Sequence, residues 1–475
     1  MTSVYRINYH LRAHKRDPLI EFIKGMLLTP FILHATPTSQ LPSSDKPRDP
    51  TTPGGGDDAY VTDMSTWLTE TQAAATPGSG SPAPLDLNLD ANGPPVLRRN
   101  SFAMHANVQR YAEVMTQVEE LVNEHIAMQA KGLEKYSRLR RLVPTVGTFF
   151  TPLPLRESFL YANSKHAIAS RKYVPPSFNE IRRILNTAQI RASAPHLRFI
   201  TFDGDMTLYP DGQTFAADSM LITQIVGLLQ RGITVAIVTA AGYGSNAARY
   251  QERISGLLQG MAGTINSGHP LLTADQATQF YVVGGECNYL FRCTPEFTLR
   301  YIPDHEYESK LRAWNDDDIQ RFLTVAEANL RQCVHDMKLD AQVLRKERAV
   351  GIVPQSPLDR EQLDECALST QQCLLQYNHA STPDQGKIPF CAFNGGSDVW
   401  VDVGNKLIGV QVLQEHLGFS PRETLHVGDQ FLSTGNDIAT RTACCTCWII
   451  NPQETHGMLD ELMDQLRRRG AATES

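Results

Sequence analysis

Thr201-Phe-Asp-Gly-Asp-Met-Thr207 is the stretch that decides the fold of this chain. It completes an apolar run that begins at Phe199 and predicts a buried strand, with Asp203 and Asp205 just past the carboxyl end. Alternate residues of an extended segment project to one side, so the two carboxylates can converge on one ligand. In an open α/β sheet, ligands bind at this edge. Two close carboxylates favour a hard cation such as Mg²⁺, whereas an acidic surface turn is the alternative interpretation of the motif.

Length, charge and cysteine content narrow the class of protein. A chain of 475 residues indicates roughly two to four domains. A net charge of −7 without a basic excess argues against a nucleic-acid partner. Cys444 and Cys447 form one C-x-x-C pair without the second pair that a zinc site needs. The odd total of 9 cysteines indicates free thiols in a reducing compartment, so we expect a cytoplasmic protein. The apolar stretch from Met26 to Leu33 is too short to span a bilayer, which argues against a membrane partner.

Residues 1–195 carry helical patterns. Apolar residues at helical spacing predict helices over 18–29 and 178–191, the second with Ser177 as its N-cap. Residues 37–100 are instead rich in Pro, Gly, Ser and Thr, a composition that cannot bury enough apolar surface to offset chain entropy. The sequence therefore predicts an α-rich N-terminal region with a disordered insertion over 37–100.

The pattern changes after residue 196. A β-loop-α-β unit follows, over residues 197–202, 218–231 and 233–238. Such a unit favours a parallel sheet with right-handed crossovers. Strands and helices alternate again towards the C-terminus, and a mixed segment lies between the two blocks. We therefore expect an α/β fold with a core over 196–263 and 394–475 and an inserted α+β cap over 264–393.

Polar residues follow the strands or open a helix at separated places. Thr239 follows the second strand, Lys406 opens a helix, and Asp429 follows a later strand. Helix dipoles and free N–H groups favour anions at such positions. The order of Asp203 and Asp205, then Thr239, Lys406 and Asp429, resembles the motif series of the haloacid-dehalogenase-like phosphatases. This resemblance implies a haloacid-dehalogenase-like Rossmannoid core.

The chemistry of that superfamily gives each of these residues a role. Asp203 would be the nucleophile that forms an aspartyl-phosphate, and Asp205 the acid/base that protonates the leaving alkoxide. Thr239 and Lys406 would hold the phosphoryl oxygens. Mg²⁺ would bind to Asp203, Asp429 and the main-chain carbonyl of Asp205.

Two further acidic segments bear on the site. Asp437 follows Asp429 closely, and it either contacts the metal shell or caps the next helix. Asp398, Trp400 and Asp402 alternate with valines, so one face of this strand is polar and aromatic. Carboxylates beside the phosphate-binding lysine can accept hydrogen bonds from sugar hydroxyls. A solvated edge strand is the alternative interpretation.

The resemblance becomes narrower when further stretches are included. Together with the motifs above, Val238-Thr-Ala-Ala-Gly-Tyr243 and His426-Val-Gly-Asp-Gln-Phe431 resemble the IMP-specific 5′-nucleotidase family over nearly the whole chain, the low-complexity insertion excepted. The resemblance implies hydrolysis of inosine monophosphate to inosine and phosphate, Mg²⁺ dependence and a homotetramer. It also implies activation by ATP at the N-terminal region.

The resemblance also implies contacts with the substrate and the effector. Asp211, Asp398 and Asp402 match substrate contacts, and Arg183 matches an effector contact for ATP. In the alternative interpretation, Arg183 faces solvent or pairs with an acid such as Glu180. A sugar-phosphate phosphatase or phosphomutase is the alternative function, since the core motifs alone do not set the substrate.

Overall fold

The computed structural model describes residues 17–35, 95–171, 173–263, 271–307, 314–380 and 387–473. Residues 1–16 lie outside this part of the chain, and so does the predicted disordered insertion up to residue 94. The described residues form a mixed α/β fold with a parallel sheet at its core, which confirms the predicted fold class.

Helices build the N-terminal region, and their apolar faces form one core. They are α1 (Pro18–Ala35), α2 (Pro95–Gln129), α3 (Arg138–Leu142), α4 (Leu155–His166) and α5 (Phe178–Ser193). α1 continues past the predicted end at residue 29, because Phe31 is buried one turn further on. The predicted N-cap of α5 is confirmed. The Ser177 side chain accepts a hydrogen bond from the Glu180 N–H, and the Glu180 carboxylate accepts one from the Ser177 N–H.

The strands of the described residues form two sheets. They are β1 (Phe199–Phe202), β2 (Thr234–Val238), β3 (Phe280–Gly284), β4 (Tyr289–Cys293), β5 (Leu299–Ile302), β6 (Ala341–Arg345), β7 (Ala349–Pro354), β8 (Phe390–Asn394), β9 (Val399–Val403), β10 (Thr424–Gly428) and β11 (Cys445–Trp448). The larger sheet has the order β11-β10-β1-β2-β3-β4-β5. Neighbouring strands from β11 to β3 pair in parallel, whereas β4 runs antiparallel to both of its neighbours, β3 and β5. The smaller sheet is antiparallel, with the order β6-β7-β9-β8.

Further helices cover these sheets. They are α6 (Leu221–Gln230), α7 (Ala247–Arg253), α8 (Ser255–Met261), α9 (Ala274–Ala277), α10 (Asp316–Asp336), α11 (Arg360–Ala380), α12 (Lys406–Leu417) and α13 (Pro452–Thr473). α6, α8 and α13 share an apolar core with one face of the larger sheet, and α12 packs against the other face. α10 and α11 pack on the smaller sheet and complete the cap.

The boundaries of the cap differ from the prediction of 264–393. Residues 280–302 form β3, β4 and β5, which extend the core sheet, and β9 belongs to the cap sheet although it lies after residue 393. β3 pairs in parallel with β2, with Val235 opposite Phe280, and short turns then place β4 beside β3 and β5 beside β4. The sequence pattern identifies these strands but not their partners, because pairing depends on contacts between distant segments.

The described residues bear on two expectations from the sequence, one about membrane-spanning helices and one about the cysteines. No helix among them is long and apolar enough to cross a membrane. All 9 cysteines lie in the described ranges, and none forms a disulfide there. Cys444 and Cys447 are buried at β11, where burial raises the pKa of both thiols well above the ordinary value. The C-x-x-C pair is therefore part of the protein core.

Candidate active site

A buried lysine lies at the centre of the site. Lys406 is the first residue of α12, and its side chain is fully buried. Its Nζ lies 2.8 Å from Asp203 Oδ1 and 2.8 Å from Asp437 Oδ1. It also donates a hydrogen bond of 3.0 Å to Asn436 Oδ1. Burial works against the charge, but the carboxylates of Asp203 and Asp437 raise the pKa of Lys406 above its ordinary value. A buried ammonium group needs such partners, so the lysine and the two carboxylates fix one another.

Local sequence holds the start of α12 in place. The Asn405 side chain caps the helix and accepts a hydrogen bond of 3.0 Å from the Ile408 N–H. Gly404 precedes it with a φ of +80°, in the left-handed region that favours glycine. Within the first turn, a Cβ atom on Gly409 would collide with the Glu286 carbonyl oxygen. These residues therefore let α12 begin where β9 of the cap ends and lie close against the core.

Asp203 follows β1 at the carboxyl edge of the sheet. Its N–H donates to the Val427 carbonyl at 2.8 Å, and its Oδ1 accepts from the Gly204 N–H at 2.7 Å. Burial raises the pKa of Asp203 to about 7, although the Lys406 ammonium opposes the shift. A further positive charge beside the carboxylate would favour its ionised form.

Three carboxylates converge beside the lysine. Asp203, Asp429 and Asp437 each offer an oxygen, and these atoms lie within 4.8 Å of one another. Asp429 Oδ1 is shielded from solvent and has no hydrogen-bond partner among the described residues. Burial and the charges of Asp203 and Asp437 raise the pKa of Asp429 well above its ordinary value. An unpartnered carboxylate oxygen among other acids fits a hard divalent cation such as Mg²⁺.

Asp437 is held by the protein through both carboxylate oxygens. Its Oδ1 accepts from Lys406 and lies 3.0 Å from His426 Nε2, and its Oδ2 accepts from the Gln430 N–H at 2.8 Å. Although burial opposes the shift, Lys406 and His426 hold the pKa of Asp437 below its ordinary value. The predicted helix after Asp437 is a short 3₁₀ turn, Ile438–Thr442, and the Asp437 side chain does not cap it. The capping interpretation is therefore wrong, and Asp437 belongs to the carboxylate cluster.

Asp205 has its polar partners outside that cluster. Its Oδ1 pairs with Arg253 at the end of α7 and accepts from the Gly212 N–H at 3.0 Å. Met206 follows with a φ of +58°, so the chain turns sharply after Asp205. The carboxylate lines the cleft, where it can exchange a proton with a bound molecule. Arg253 lies 48 residues along the chain from Asp205, and no sequence motif identifies it.

Core and cap share one cleft of about 420 Å³, a size suited to a small ligand. The predicted site residues that line it are Asp203, Asp205, Asp211, Thr239, Asp398 and Asp402. Lys346 and Trp400 also line it, and the Lys346 Nζ lies 3.9 Å from the centroid of the Trp400 ring. No motif predicts Lys346, because it lies in the turn between β6 and β7.

The polar face of the Asp398–Asp402 segment faces the cleft. Trp400 Nε1 donates a hydrogen bond of 2.7 Å to Asp398 Oδ2. Burial raises the pKa of Asp402 to about 7, although Lys346 opposes the shift, and burial also raises the pKa of Asp398. β9 is an inner strand between β7 and β8, which excludes the edge-strand interpretation.

A second depression lies on the N-terminal region, and we call it the N-terminal groove. Its lining includes Tyr161, Lys165, His166, Arg183 and Glu454. Arg183 Nε donates to Glu454 Oε1 at 2.9 Å, while the Arg183 side chain remains 51% exposed. Arg183 thus pairs with an acid, as the alternative interpretation allows, but the acid is Glu454, because Glu180 is bound to Arg171. Lys165 brings a second cation to the groove, and no sequence motif predicts this residue.

The architecture identifies the class of protein. A cap above the carboxyl ends of a parallel sheet, with an aspartate and a lysine in contact at its base, is the arrangement of the haloacid-dehalogenase-like phosphatases. The sequence of this chain matches the family model described as IMP-specific 5′-nucleotidase over residues 1–459. The chain belongs to the IMP-specific 5′-nucleotidase family, which confirms the resemblance seen in the sequence. The family comparison makes the protein a phosphoric monoester hydrolase.

Individual relatives extend over nearly the whole chain. IMP-specific 5′-nucleotidase 1 of Emericella nidulans is 39% identical, in an alignment that covers 97% of this chain and 98% of the relative. The Neurospora crassa protein of the same name is 38% identical over 490 residues, with 99% and 100% covered.

Two solved structures of Plasmodium falciparum IMP-nucleotidase are similar to this fold. A mutant bound to IMP has a TM-score of 0.68 and 37% identity, covering 78% of this chain and 92% of that one. An ATP-bound form has a TM-score of 0.65 and 38% identity, with 74% and 79% covered.

Replacement of the central lysine tests the charge balance of the site. Lys406→Met leaves Asp203 and Asp437 buried without their cation, so we expect a loss of roughly 3–5 kcal/mol in the free energy of unfolding. Lys131→Met is the matched control, since Lys131 is exposed and lies outside the site, and its replacement should change stability by less than about 0.5 kcal/mol. Urea denaturation at neutral pH without divalent cations measures the free energy of unfolding of both variants.

The pH dependence of this difference has a defined sign. The folded pKa of Asp437 lies below its ordinary value, so its contribution is present at neutral pH and is lost as the pH falls below that value. The difference in the free energy of unfolding between wild type and Lys406→Met should therefore become smaller in acid. Equal unfolding midpoints for Lys406→Met and wild type at neutral pH would contradict the central role of the lysine.

Proposed function

We propose that this protein is a Mg²⁺-dependent 5′-nucleotidase that hydrolyses inosine 5′-monophosphate to inosine and phosphate. The observation that carries the proposal is the contact of 2.8 Å between Lys406 Nζ and Asp203 Oδ1, at a cleft shared with the cap. Membership of the IMP-specific 5′-nucleotidase family supports the choice of substrate, as does the similar Plasmodium falciparum structure with bound IMP.

Asp203 is the nucleophile in this proposal. A phosphate monoester is anionic and is repelled by the Asp203 carboxylate. Positive charge must therefore lie beside both the phosphate and Asp203. Lys406 supplies part of it and, with the Thr239 hydroxyl, holds the phosphoryl oxygens. The carboxylates of Asp203 and Asp429, with the main-chain carbonyl of Asp205, would hold Mg²⁺, which when bound neutralises further negative charge. An Asp203 oxygen attacks phosphorus, the bond from phosphorus to the ribose 5′ oxygen breaks, and an aspartyl-phosphate forms.

Asp205 carries the proton in both halves of the reaction. It first gives its proton to the ribose 5′ oxygen, so that inosine leaves as an alcohol. It then takes a proton from the water that attacks the phosphorus of the aspartyl-phosphate, which restores Asp203 and releases phosphate. Arg253 and the Gly212 N–H hold the Asp205 carboxylate beside the cleft between these steps.

The cap carries the choice of substrate. The core residues would serve a sugar phosphate as well as a nucleotide, so specificity must come from the residues that face the leaving group. Asp402 on β9 and Asp398 just before it line the cleft, and Asp211 lines it from the core. Their oxygens are hydrogen-bond acceptors suited to ribose hydroxyls, and the Trp400 ring between them offers an aromatic surface.

Activation by ATP is the regulatory part of the proposal. The N-terminal groove brings the cations of Lys165 and Arg183 together, which suits a polyphosphate. The ATP-bound Plasmodium falciparum structure supports the same effector. A phosphate at Arg183 would compete with Glu454, which also binds Arg182 on α5.

Two remaining features of the proposal do not enter the mechanism. The family resemblance adds a homotetramer, which sedimentation analysis of the purified protein tests directly. The cysteine content adds a cytoplasmic location, which localisation of the tagged protein tests.

Phosphate release from a substrate panel tests the proposed function. With Mg²⁺, kcat/KM for IMP should exceed that for AMP, GMP and glucose 6-phosphate by at least about tenfold, since a mismatched partner leaves polar groups of the cleft unpaired. Asp203→Asn should release no phosphate, because an amide cannot form the aspartyl-phosphate. A preference for the hexose phosphate would favour the sugar-phosphate phosphatase, and substantial turnover by Asp203→Asn would remove the nucleophile assignment.

Asp402→Ala separates substrate recognition from phosphate chemistry. Loss of a hydrogen bond that involves a charged group costs about 1.5–3 kcal/mol, which corresponds to a roughly 10- to 150-fold decrease in kcat/KM for IMP. Hydrolysis of p-nitrophenyl phosphate, which lacks the ribose, should change little. Equal losses with both substrates would place Asp402 in the general machinery or in folding.

Arg183→Ala tests the regulatory part. IMP hydrolysis without ATP should stay near the wild-type rate, whereas stimulation by ATP should fall, because one of the two groove cations is lost. Arg198→Ala is a suitable control, since Arg198 is also exposed and pairs with an acid, Glu423, outside the groove. Undiminished stimulation in Arg183→Ala would remove this residue from the effector site. Absence of any ATP effect on the wild type would refute activation altogether.

A further inference from the structure

The loop that carries Asp429 is attached to the N-terminal region through one tryptophan. Trp448 is the last residue of β11 and lies opposite Gly428, the last residue of β10. We infer that Trp448 is a positioning residue that orients Asp429 for metal binding and links it to α5. This inference deepens the proposed function, since it rests on Asp429 as a metal ligand.

The indole ring holds the main chain of the metal-binding residue. Trp448 Nε1 donates a hydrogen bond of 2.8 Å to the Asp429 carbonyl oxygen. The Ile449 N–H donates to the Gly428 carbonyl at 2.9 Å and so continues the pairing of β11 with β10. The Asp429 backbone is thus fixed from the β11 side, while its Oδ1 has no partner in the described structure. Groups that orient a ligand in this way commonly tune metal affinity.

The ring itself belongs to the core of the N-terminal region and not to that of the catalytic sheet. The Phe178 ring meets it edge-on, with centroids 5.5 Å apart. The Phe431 ring, which is almost fully buried, also packs against it, with centroids 6.2 Å apart. Since Phe431 lies two residues after Asp429, both the indole and the following part of the loop are embedded in the helical region.

Helix α5 also holds the main chain of Trp448. Asn186 makes a two-way contact: its Nδ2 donates to the Trp448 carbonyl at 2.6 Å, and its Oδ1 accepts from the Trp448 N–H at 3.0 Å. Arg182 donates to the same carbonyl. A movement of α5 would therefore carry Trp448 with it.

The contacts continue from α5 to the N-terminal groove. Glu454 Oε1 lies 2.9 Å from Arg182 Nη2 and 2.9 Å from Arg183 Nε, so it joins the buried arginine to the exposed one. An anion that draws Arg183 away from Glu454 would alter the charge balance at Arg182. Direct contacts thus connect the groove to the Asp429 carbonyl through Glu454, Arg182 and Trp448.

A simpler role for Trp448 is to fill the core with an aromatic ring. Trp448→Phe separates the two roles, because it keeps an aromatic ring but removes the Nε1–H donor. Phe178→Leu is the matched control, since it weakens the packing against Trp448 and leaves the donor in place. Asn186→Ala is a second probe that keeps the indole but releases the main chain of Trp448 from α5.

The test is calorimetric titration of Mg²⁺ into the full chain without substrate, with thermal unfolding to verify the fold of each variant. Trp448→Phe should bind Mg²⁺ on the order of tenfold more weakly than wild type. Phe178→Leu should lower the melting temperature yet bind Mg²⁺ within about twofold of wild type, and Asn186→Ala should weaken Mg²⁺ binding by a few fold. Asp429→Asn should abolish binding.

Each outcome decides the inference. Wild-type Mg²⁺ affinity in folded Trp448→Phe, with binding lost in Asp429→Asn, overturns the positioning role and leaves the proposed function intact. Equal weakening in Trp448→Phe and Phe178→Leu overturns it in favour of core filling. Wild-type affinity in Asp429→Asn overturns the metal assignment and the inference together. If Trp448→Phe does not fold, wild-type affinity in Asn186→Ala overturns the link to α5, and weakened affinity supports it.

Discussion

The ammonium group of Lys406 carries a positive charge in the interior of the protein, and the geometry of the site follows from the partners that this charge needs. A buried ammonium group without partners would be strongly destabilising. Asp203 and Asp437 each lie 2.8 Å from it, on segments that are distant in sequence. The lysine therefore brings the carboxyl end of β1, the loop that follows β10 and the start of α12 to one point.

One ammonium group does not balance the acids around it. Asp203, Asp429 and Asp437 share the cluster, and the pKa values of Asp203 and Asp429 are raised by burial. The surplus negative charge favours a bound cation. Because of this surplus, the position of the Asp429 loop matters for cation binding. Trp448 holds that loop by a hydrogen bond, so the N-terminal region, in which the indole is embedded, controls the position of the loop.

Much of this site could be predicted from the sequence, because its residues follow buried strands or open a helix. Asp203, Thr239 and Asp429 stand where apolar runs end, and Lys406 follows an N-cap asparagine. Other features of the site and the fold have no signal in the sequence around them. The partners of Asp437, the pairing of β3 with the core sheet and the placement of Arg253 beside Asp205 all depend on contacts between distant segments. Trp448 in particular appears in the sequence as one apolar residue of a strand.

The most direct test of the account is to trap the phosphoryl group on the protein. IMP with a radiolabelled phosphate is mixed with enzyme and Mg²⁺, quenched in acid within the first turnover, and the protein is digested and mapped. We expect a label that hydroxylamine removes, on the peptide that contains Asp203, and no label on Asp203→Asn. Label on a different residue, or equal labelling of Asp203→Asn, would contradict it.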